Sequence, residues 1–394
     1  MTYKNLEQWL LKHFRRITSS DSFFPEIDGL RFLAIATVVL YHVNGYLFIR
    51  DPSVAALSDK EWFYTQVLSP ICRAGHQGVQ LFFVISGFIL SYPFARAYLS
   101  GGECPSYLKY LKRRLTRLEP PYIIVTTLFF VGSLLSYKKH SVAELWPSFL
   151  ASLTYTHNLF FRGELPRVNS VLWSLEIEIQ FYLLAPAICW LYFKAKRSSV
   201  RKMIGLLVVA LWAFFADRFQ GLSLLKFGYY FIAGIIICDV VCSGDNQGSL
   251  FRSKSSAILG AWLLCILLTV DFVHSGNKVL LMMYPFVIML FYLSVLLNPL
   301  LKKVFSNVFL VVTGGMCYSV YMLHYGVIKL VGPQLLHLGR GWGFYPFFAL
   351  QMAIDIACIA IISAVFFKLI ERPCMRKQWP QELWAKLRPG RSQT

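Results

Sequence analysis

Ten apolar stretches, each about the length a helix needs to cross a bilayer, alternate with short basic connections along this chain. Nothing constrains its fold more. Hydrocarbon offers no water to backbone N–H and C=O groups, so a segment within it must satisfy them internally, and a helix does so alone. The stretches lie near residues 29–48, 79–98, 119–137, 172–193, 204–218, 222–241, 256–272, 279–298, 308–331 and 344–367. The expectation is an all-α fold, a polytopic membrane helical bundle of about ten transmembrane helices. Residues 148–161 are too short and too polar to span and read as interfacial or re-entrant.

Composition agrees. Of 394 residues, 56% are hydrophobic and only 15% charged, whereas soluble chains carry about 25% charged residues. Mean hydropathy is +0.53. That excludes an ordinary soluble enzyme, a disordered chain and a disulfide-rich secreted module. The net charge of +19 would suggest nucleic acid in a soluble protein. Here the basic residues cluster between apolar runs, which points to anionic lipid headgroups and membrane orientation, and to no nucleic acid. The nine cysteines form no CxxC and no Cys/His group at metal-ligand spacing, so neither a disulfide framework nor a metal site is expected.

Orientation follows from the connections. Numbered alternately from the N-terminus, those on one side hold 25 Lys and Arg residues and those on the other hold 10. Both termini are therefore expected in the cytoplasm. Residues 1–24 form a basic segment with Leu6, Trp9, Leu10, Phe14 and Ile17 at helical spacing, which suits either a helix in the cytoplasmic interface or a frayed tail. Residues 25–375 would make one membrane domain, and 376–394 a basic cytoplasmic tail.

Ionisable groups within hydrocarbon are costly and tend to be functional. Asp28, Arg31 and His42 lie in the first span, Glu176 and Glu178 in the fourth, His324 in the ninth and Asp355 in the tenth. With a rise of about 1.5 Å per residue, His42, Glu178 and His324 all sit about 5–7 Å to the outer side of their spans' centres. Glu176 and Glu178 are about 200° apart around a helix and cannot share one cavity. Ser174 and Tyr182 fall with Glu178, and Trp173 and Gln180 with Glu176. Glu178 is the expected structural or catalytic member, with Glu176 nearer the wet end. Lys226, Asp239 and Lys329 lie near span ends, where snorkelling explains them. Asp355 needs a partner that the sequence does not name.

Arg31 lies about 16 Å along the helix from His42. That spacing suits a division of labour, with Arg31 holding an anion near the cytosol and His42 handling a proton deeper in. Arg113, Arg114 and Arg117 enter the third span from the same side, and guanidinium forks bind phosphate. The same arginines also serve as orientation determinants, and His324 serves equally as an interhelical hydrogen-bonding group.

Five ordered stretches resemble the acyltransferase 3 family of integral-membrane acyl-CoA-dependent O-acyltransferases, the bacterial cell-envelope O-acetylase type. They are Ile27–Arg31 through Tyr41-His42, Gly78–Phe88, Lys112–Tyr122, Leu172–Tyr182 and Tyr318–His324, with Ile370-Glu371-Arg372-Pro373 typical of the tail. Gln80 departs from the acidic residue common there, and Glu176 is an extra carboxylate. Many relatives carry a fused extracytoplasmic domain, for which this chain ends too soon, so the stand-alone form is expected.

The resemblance implies transfer of an acyl group, most often acetyl, from cytosolic acyl-CoA to a hydroxyl of a glycan or lipid-linked saccharide on the extracytoplasmic side. Acyl-CoA is a cosubstrate, and no cofactor is bound permanently. The implied setting is a bacterial inner membrane. A sugar hydroxyl needs a base, and His42 would be that base or a transient acyl carrier, with Glu178 orienting its ring. Arg31, Arg113, Arg114 and Arg117 would bind the CoA phosphates. Asp28, Ser86, Trp173, Ser174, Tyr318, Tyr321 and His324 would support the site, although Gly87 beside Ser86 also suits a helix contact. The rival class is a proton-coupled secondary transporter using the same ionisable residues. Against it stand the lack of an internal repeat and of matched broken spans. Acceptor, acyl chain and oligomeric state are not legible in the sequence.

Overall fold

A computed structural model describes residues 3–17, 23–50, 58–137, 141–244, 251–338, 341–376 and 378–381. The described residues contain helices and no strand. The principal helices are α1 (Tyr3–Phe14), α2 (Pro25–Arg50), α3 (Gly78–Ser100), α4 (Tyr107–Tyr137), α5 (Trp173–Phe193), α6 (Ser198–Phe215), α7 (Leu224–Ser243), α8 (Lys254–Thr269), α9 (Lys278–Leu297), α10 (Val308–Gly315), α11 (Cys317–Leu338) and α12 (Phe344–Phe366). Among the described residues seven helical stretches are long and apolar enough to cross a membrane, or eight if the bent pair α10–α11 is one span. Each of the ten expected runs coincides with helix. Those carried by α2 and by the 16-residue α8 lie outside that set. Residues 142–160 form two short helices, Val142–Leu153 and His157–Phe160.

Helix association between apolar surfaces depends on close approach, and glycine supplies it. α3 crosses α7 where a Cβ on Gly87 would lie 2.2 Å from Phe231 O and one on Gly234 would lie 2.2 Å from Val84 O. Gly87 is thus a helix contact. α2 meets α10 in the same manner, a Cβ on Gly314 falling 1.7 Å from Asp28 O. This contact brings the start of α2 beside the bend that opens α11, and the bend measures 71°.

Two buried carboxylates find hydrogen-bond donors, one between helices and one within a helix. Asp239, expected to snorkel, is fully buried and accepts two hydrogen bonds from Arg201, at 2.7 and 2.6 Å, with further donors on Tyr192 and Ser243. Asp355 is fully buried and takes a hydrogen bond from Gln351, one turn earlier on α12.

One end of the bundle collects the segments expected in the cytoplasm. α1 is helical and lays one apolar face on the bundle. Leu10, Leu11 and Phe14 lie against Val312, Met316, Phe367 and Met375. Arg372 reaches the carbonyls of Lys12 and Arg15. Pro120 in α4 has no N–H to donate to Thr116 O, and Trp379 Nε1 takes that carbonyl instead, at 3.0 Å.

Candidate functional site

α2 opens with Asp28 and Arg31 one turn apart, which places both side chains on one face. Asp28 is fully buried and bridges two guanidiniums, Arg31 Nη1 at 2.9 Å and Arg16 Nε at 2.7 Å. Burial and the neighbouring Arg31 push Arg16 down to about 10. Positive charge is thus crowded at this end of the helix. Arg31 lines a cavity of about 980 Å³, measured out to open solvent. Arg114 and Arg117 also line it, and Arg117 Nε is buried with no hydrogen-bond partner among the described residues. Arg113 does not belong to this group. It is exposed and absent from the wall, because its neighbour Arg114 takes the inward direction on α4.

The opposite wall comes from α5. Ser174, Glu178 and Tyr182 follow one another at four-residue intervals and all face the cavity. Glu178 Oε1 accepts from Ser86 Oγ at 2.5 Å and from Tyr182 OH at 2.6 Å. Ser174 Oγ lies 2.6 Å from Tyr321 OH, which also donates to Val171 O. Tyr318, one turn before Tyr321 on α11, lines the cavity and donates to Leu118 O. Phe82, Phe83, Leu175 and Ile179 supply apolar wall between these polar groups.

Glu176 faces away, as its 200° offset requires. It is buried, and its two carboxylate oxygens both accept from Asn158 N at 3.0 Å. Asn158 Nδ2 in turn donates to Trp173 O. Glu176 therefore clamps the short helix at 157–160 onto α5, and Trp173 packs against Phe83 and Phe227 outside the cavity.

His42 pairs with His324. His324 Nε2 and His42 Nδ1 are 3.0 Å apart. His324 is fully buried, and its Nδ1 lies 2.7 Å from Tyr321 O and 3.1 Å from Val320 O. Carbonyls only accept, so His324 carries its proton on Nδ1 and offers a lone pair at Nε2. His42 Nδ1 then faces two acceptors, that lone pair and Val38 O at 3.0 Å. The proton of His42 sits on Nδ1, which leaves Nε2 as the basic nitrogen.

The expected contact between Glu178 and His42 is replaced by these two separate arrangements. Shared depth sets height along the bundle but not direction around each helix, and Glu178 turns toward Ser86. His42 is half-buried and does not line the cavity. Tyr321 lines the cavity, and its ring centroid is 5.8 Å from that of His324. Tyr182 and Glu371 join the cavity wall in addition to the residues expected from the sequence. Glu371 is buried, lines the cavity and accepts from Ser319 N and Oγ. A carboxylate one residue before Arg372-Pro373 was its available signal.

Comparison with known proteins bears on this arrangement. The profile described as "Acyltransferase domain", that of the acyltransferase 3 family, matches residues 24–370. O-acetyltransferase OatA of Staphylococcus aureus strain NCTC 8325 is 23% identical over 413 aligned positions, which cover 93% of this chain and 60% of that protein. A putative O-acetyltransferase of Staphylococcus aureus strain COL is 24% identical over 399 positions, 89% of this chain and 57% of the relative. The chain thus spans about 60% of the length of the curated relatives it matches. No solved structure matches it. The profile covers the first-span Arg31 and His42, the Glu178 wall and the His324 helix alike, and the chain belongs to the acyltransferase 3 family.

Proposed function

We propose that this chain is a membrane O-acyltransferase that moves an acyl group, acetyl foremost, from acyl-CoA to a hydroxyl group. The observation that carries the reading is the adjacency of two unlike compartments. One is a cavity with Arg31, Arg114 and Arg117 in its wall, the last with an unpartnered buried N–H, beside apolar side chains. The other is an imidazole pair whose hydrogen bonds leave His42 Nε2 basic. Guanidiniums suit the phosphates of a CoA thioester, and the apolar wall suits its pantetheine and acyl end. The relatives named O-acetyltransferase agree with acetyl as the group moved.

In the proposed reaction the acceptor oxygen attacks the thioester carbonyl while His42 Nε2 takes its proton. The C–S bond breaks, the acyl group stays on the acceptor oxygen, and the proton passes from the imidazolium to the departing thiolate. His324 stabilises the imidazolium through the Nδ1 hydrogen bond. Acyl-CoA would enter from the cytoplasmic end, where α1, the start of α4 and the 372–379 segment gather. The acceptor, a glycan or lipid-linked saccharide, would approach from the other side.

The test uses the full chain purified in detergent with radiolabelled acetyl-CoA and a membrane glycan-lipid extract. Transfer is expected, abolished in His42→Ala with unchanged thermal melting, and needing at least tenfold more acetyl-CoA in Arg117→Gln. Full transfer by His42→Ala would refute the role of the imidazole. Uptake of a solute into proteoliposomes without release of CoA would instead support a transporter.

A further inference from the structure

At the far end of α2 from Arg31, beyond Tyr41, three potential metal ligands meet that belong to no part of the site above. His76 lies in the Gly75–Gln77 turn that leads into α3, and Asp271 and His274 lie in the connection between α8 and α9. His76 Nε2 is 3.2 Å from Asp271 Oδ1, and His274 Nδ1 is 3.7 Å from Asp271 Oδ2. The two imidazole centroids are 4.1 Å apart. One ligand atom from each residue falls within 4.8 Å of the others. Zinc holds nitrogen and carboxylate oxygen at about 2.0–2.2 Å in a tetrahedron, which puts neighbouring ligand atoms about 3.3–3.5 Å apart. The two separations, each to a different oxygen of Asp271, lie on either side of that spacing.

The group is held in place by its surroundings. Gln77, next to His76, donates to Val270 O at 2.9 Å and accepts from Phe272 N at 2.9 Å. Its own carbonyl accepts from Tyr284 OH, and Tyr284 stacks on Phe272. The backbone on both sides of Asp271 is thereby tied to the turn that carries His76. Asp271 Oδ1 also accepts from the backbone N–H groups of Val273 and His274, which orients the carboxylate. Exposure rises across the group, from 11% at the His76 side chain through 34% at Asp271 to 66% at His274. A cation therefore has a route in from solvent and room for a further ligand.

Two imidazole nitrogens and one carboxylate gathered within 4.8 Å of one another are a donor set for a divalent transition metal.

We propose that His76 Nε2, His274 Nδ1 and the Asp271 carboxylate bind a divalent transition-metal ion, with zinc the best match and one coordination position left open. The ion would cross-link two connections that lie 195 residues apart in sequence. It would also sit one aromatic ring from His42, since the Tyr41 ring is 5.6 Å from His76 and 5.1 Å from His42 by centroids.

The test uses the full chain purified without a polyhistidine tag, stripped with a chelator and titrated with zinc chloride against a chromophoric competitor. Bound metal is counted by mass spectrometry. One zinc per chain is expected. His274→Ala, at an exposed position that leaves the packing intact, and Asp271→Asn should each weaken binding by more than tenfold. The proposal is overturned if the wild type takes up no more zinc than the triple variant His76→Ala/Asp271→Asn/His274→Ala. It is equally overturned if His274→Ala binds as tightly as the wild type. Neither readout depends on acyl transfer, so the proposal stands or falls apart from that activity.

Discussion

Replacing His324 by Leu tests the imidazole pair most directly. The ring is fully buried, so an apolar side chain of similar size is tolerated there. The carbonyls of Val320 and Tyr321 that it contacts belong to α11 and keep their helical acceptor roles. What is lost is the lone pair 3.0 Å from His42 Nδ1. In the resting state Val38 O still holds that proton, so the tautomer survives. In the transition state His42 becomes an imidazolium and the lost bond is charge-assisted, worth about 1.5–3 kcal/mol. At about 1.4 kcal/mol per factor of ten, kcat should fall between about tenfold and 150-fold. KM for acetyl-CoA should change less than about threefold, because the arginine-lined cavity is untouched. His324→Gln, which can place an amide oxygen near the former Nε2, should recover most of the rate. Initial rates of labelled acetyl transfer at several acetyl-CoA concentrations decide it. A His324→Leu enzyme with undiminished kcat, or one that loses only apparent affinity, would refute the claim that His324 acts through His42.

Two further outcomes concern the scaffold. Asp239→Ala leaves Arg201, 3% exposed, without its counter-charge, and should cost about 3–5 kcal/mol, seen as a lower melting temperature in detergent. The double change Arg201→Met/Asp239→Leu should regain most of it, and a fully stable Asp239→Ala single variant would contradict the pairing. Gly87→Ala forces α3 and α7 apart and should reduce folded yield sharply. Gly132→Ala, where nothing lies within 4 Å of the added carbon, should leave yield unchanged or slightly raised by helix propensity, about 0.5–1 kcal/mol. Equal yields from the two would show that the α3–α7 crossing tolerates separation.

The helical, membrane-spanning character of the chain was legible because the bilayer leaves a backbone few choices, and length with apolarity reveals which one is taken. The split of Ser174, Glu178 and Tyr182 from Glu176 was legible for a similar reason, since the angle of one residue to the next around a helix is set by geometry. The inward face of each helix was not. In a soluble helix the apolar stripe marks the core, but here lipid and core are both apolar and the stripe disappears. Depth was therefore readable and direction was not. The pairing of His42 with His324, the turn of Glu178 toward Ser86 and the outward position of Arg113 are therefore features of the packing.

Sequence spacing also hid what tertiary contact assembles. His76 meets Asp271 across 195 residues, about half of the chain, which no short sequence interval reveals. Glu371 enters the cavity wall from beyond the last span. Backbone chemistry within a bilayer made the helices a property of the sequence. Which side chains share a cavity, a proton or an ion depends on how those helices are rotated against one another, and only packing at contacts such as Gly87 on Phe231 and Gly314 on Asp28 decided that.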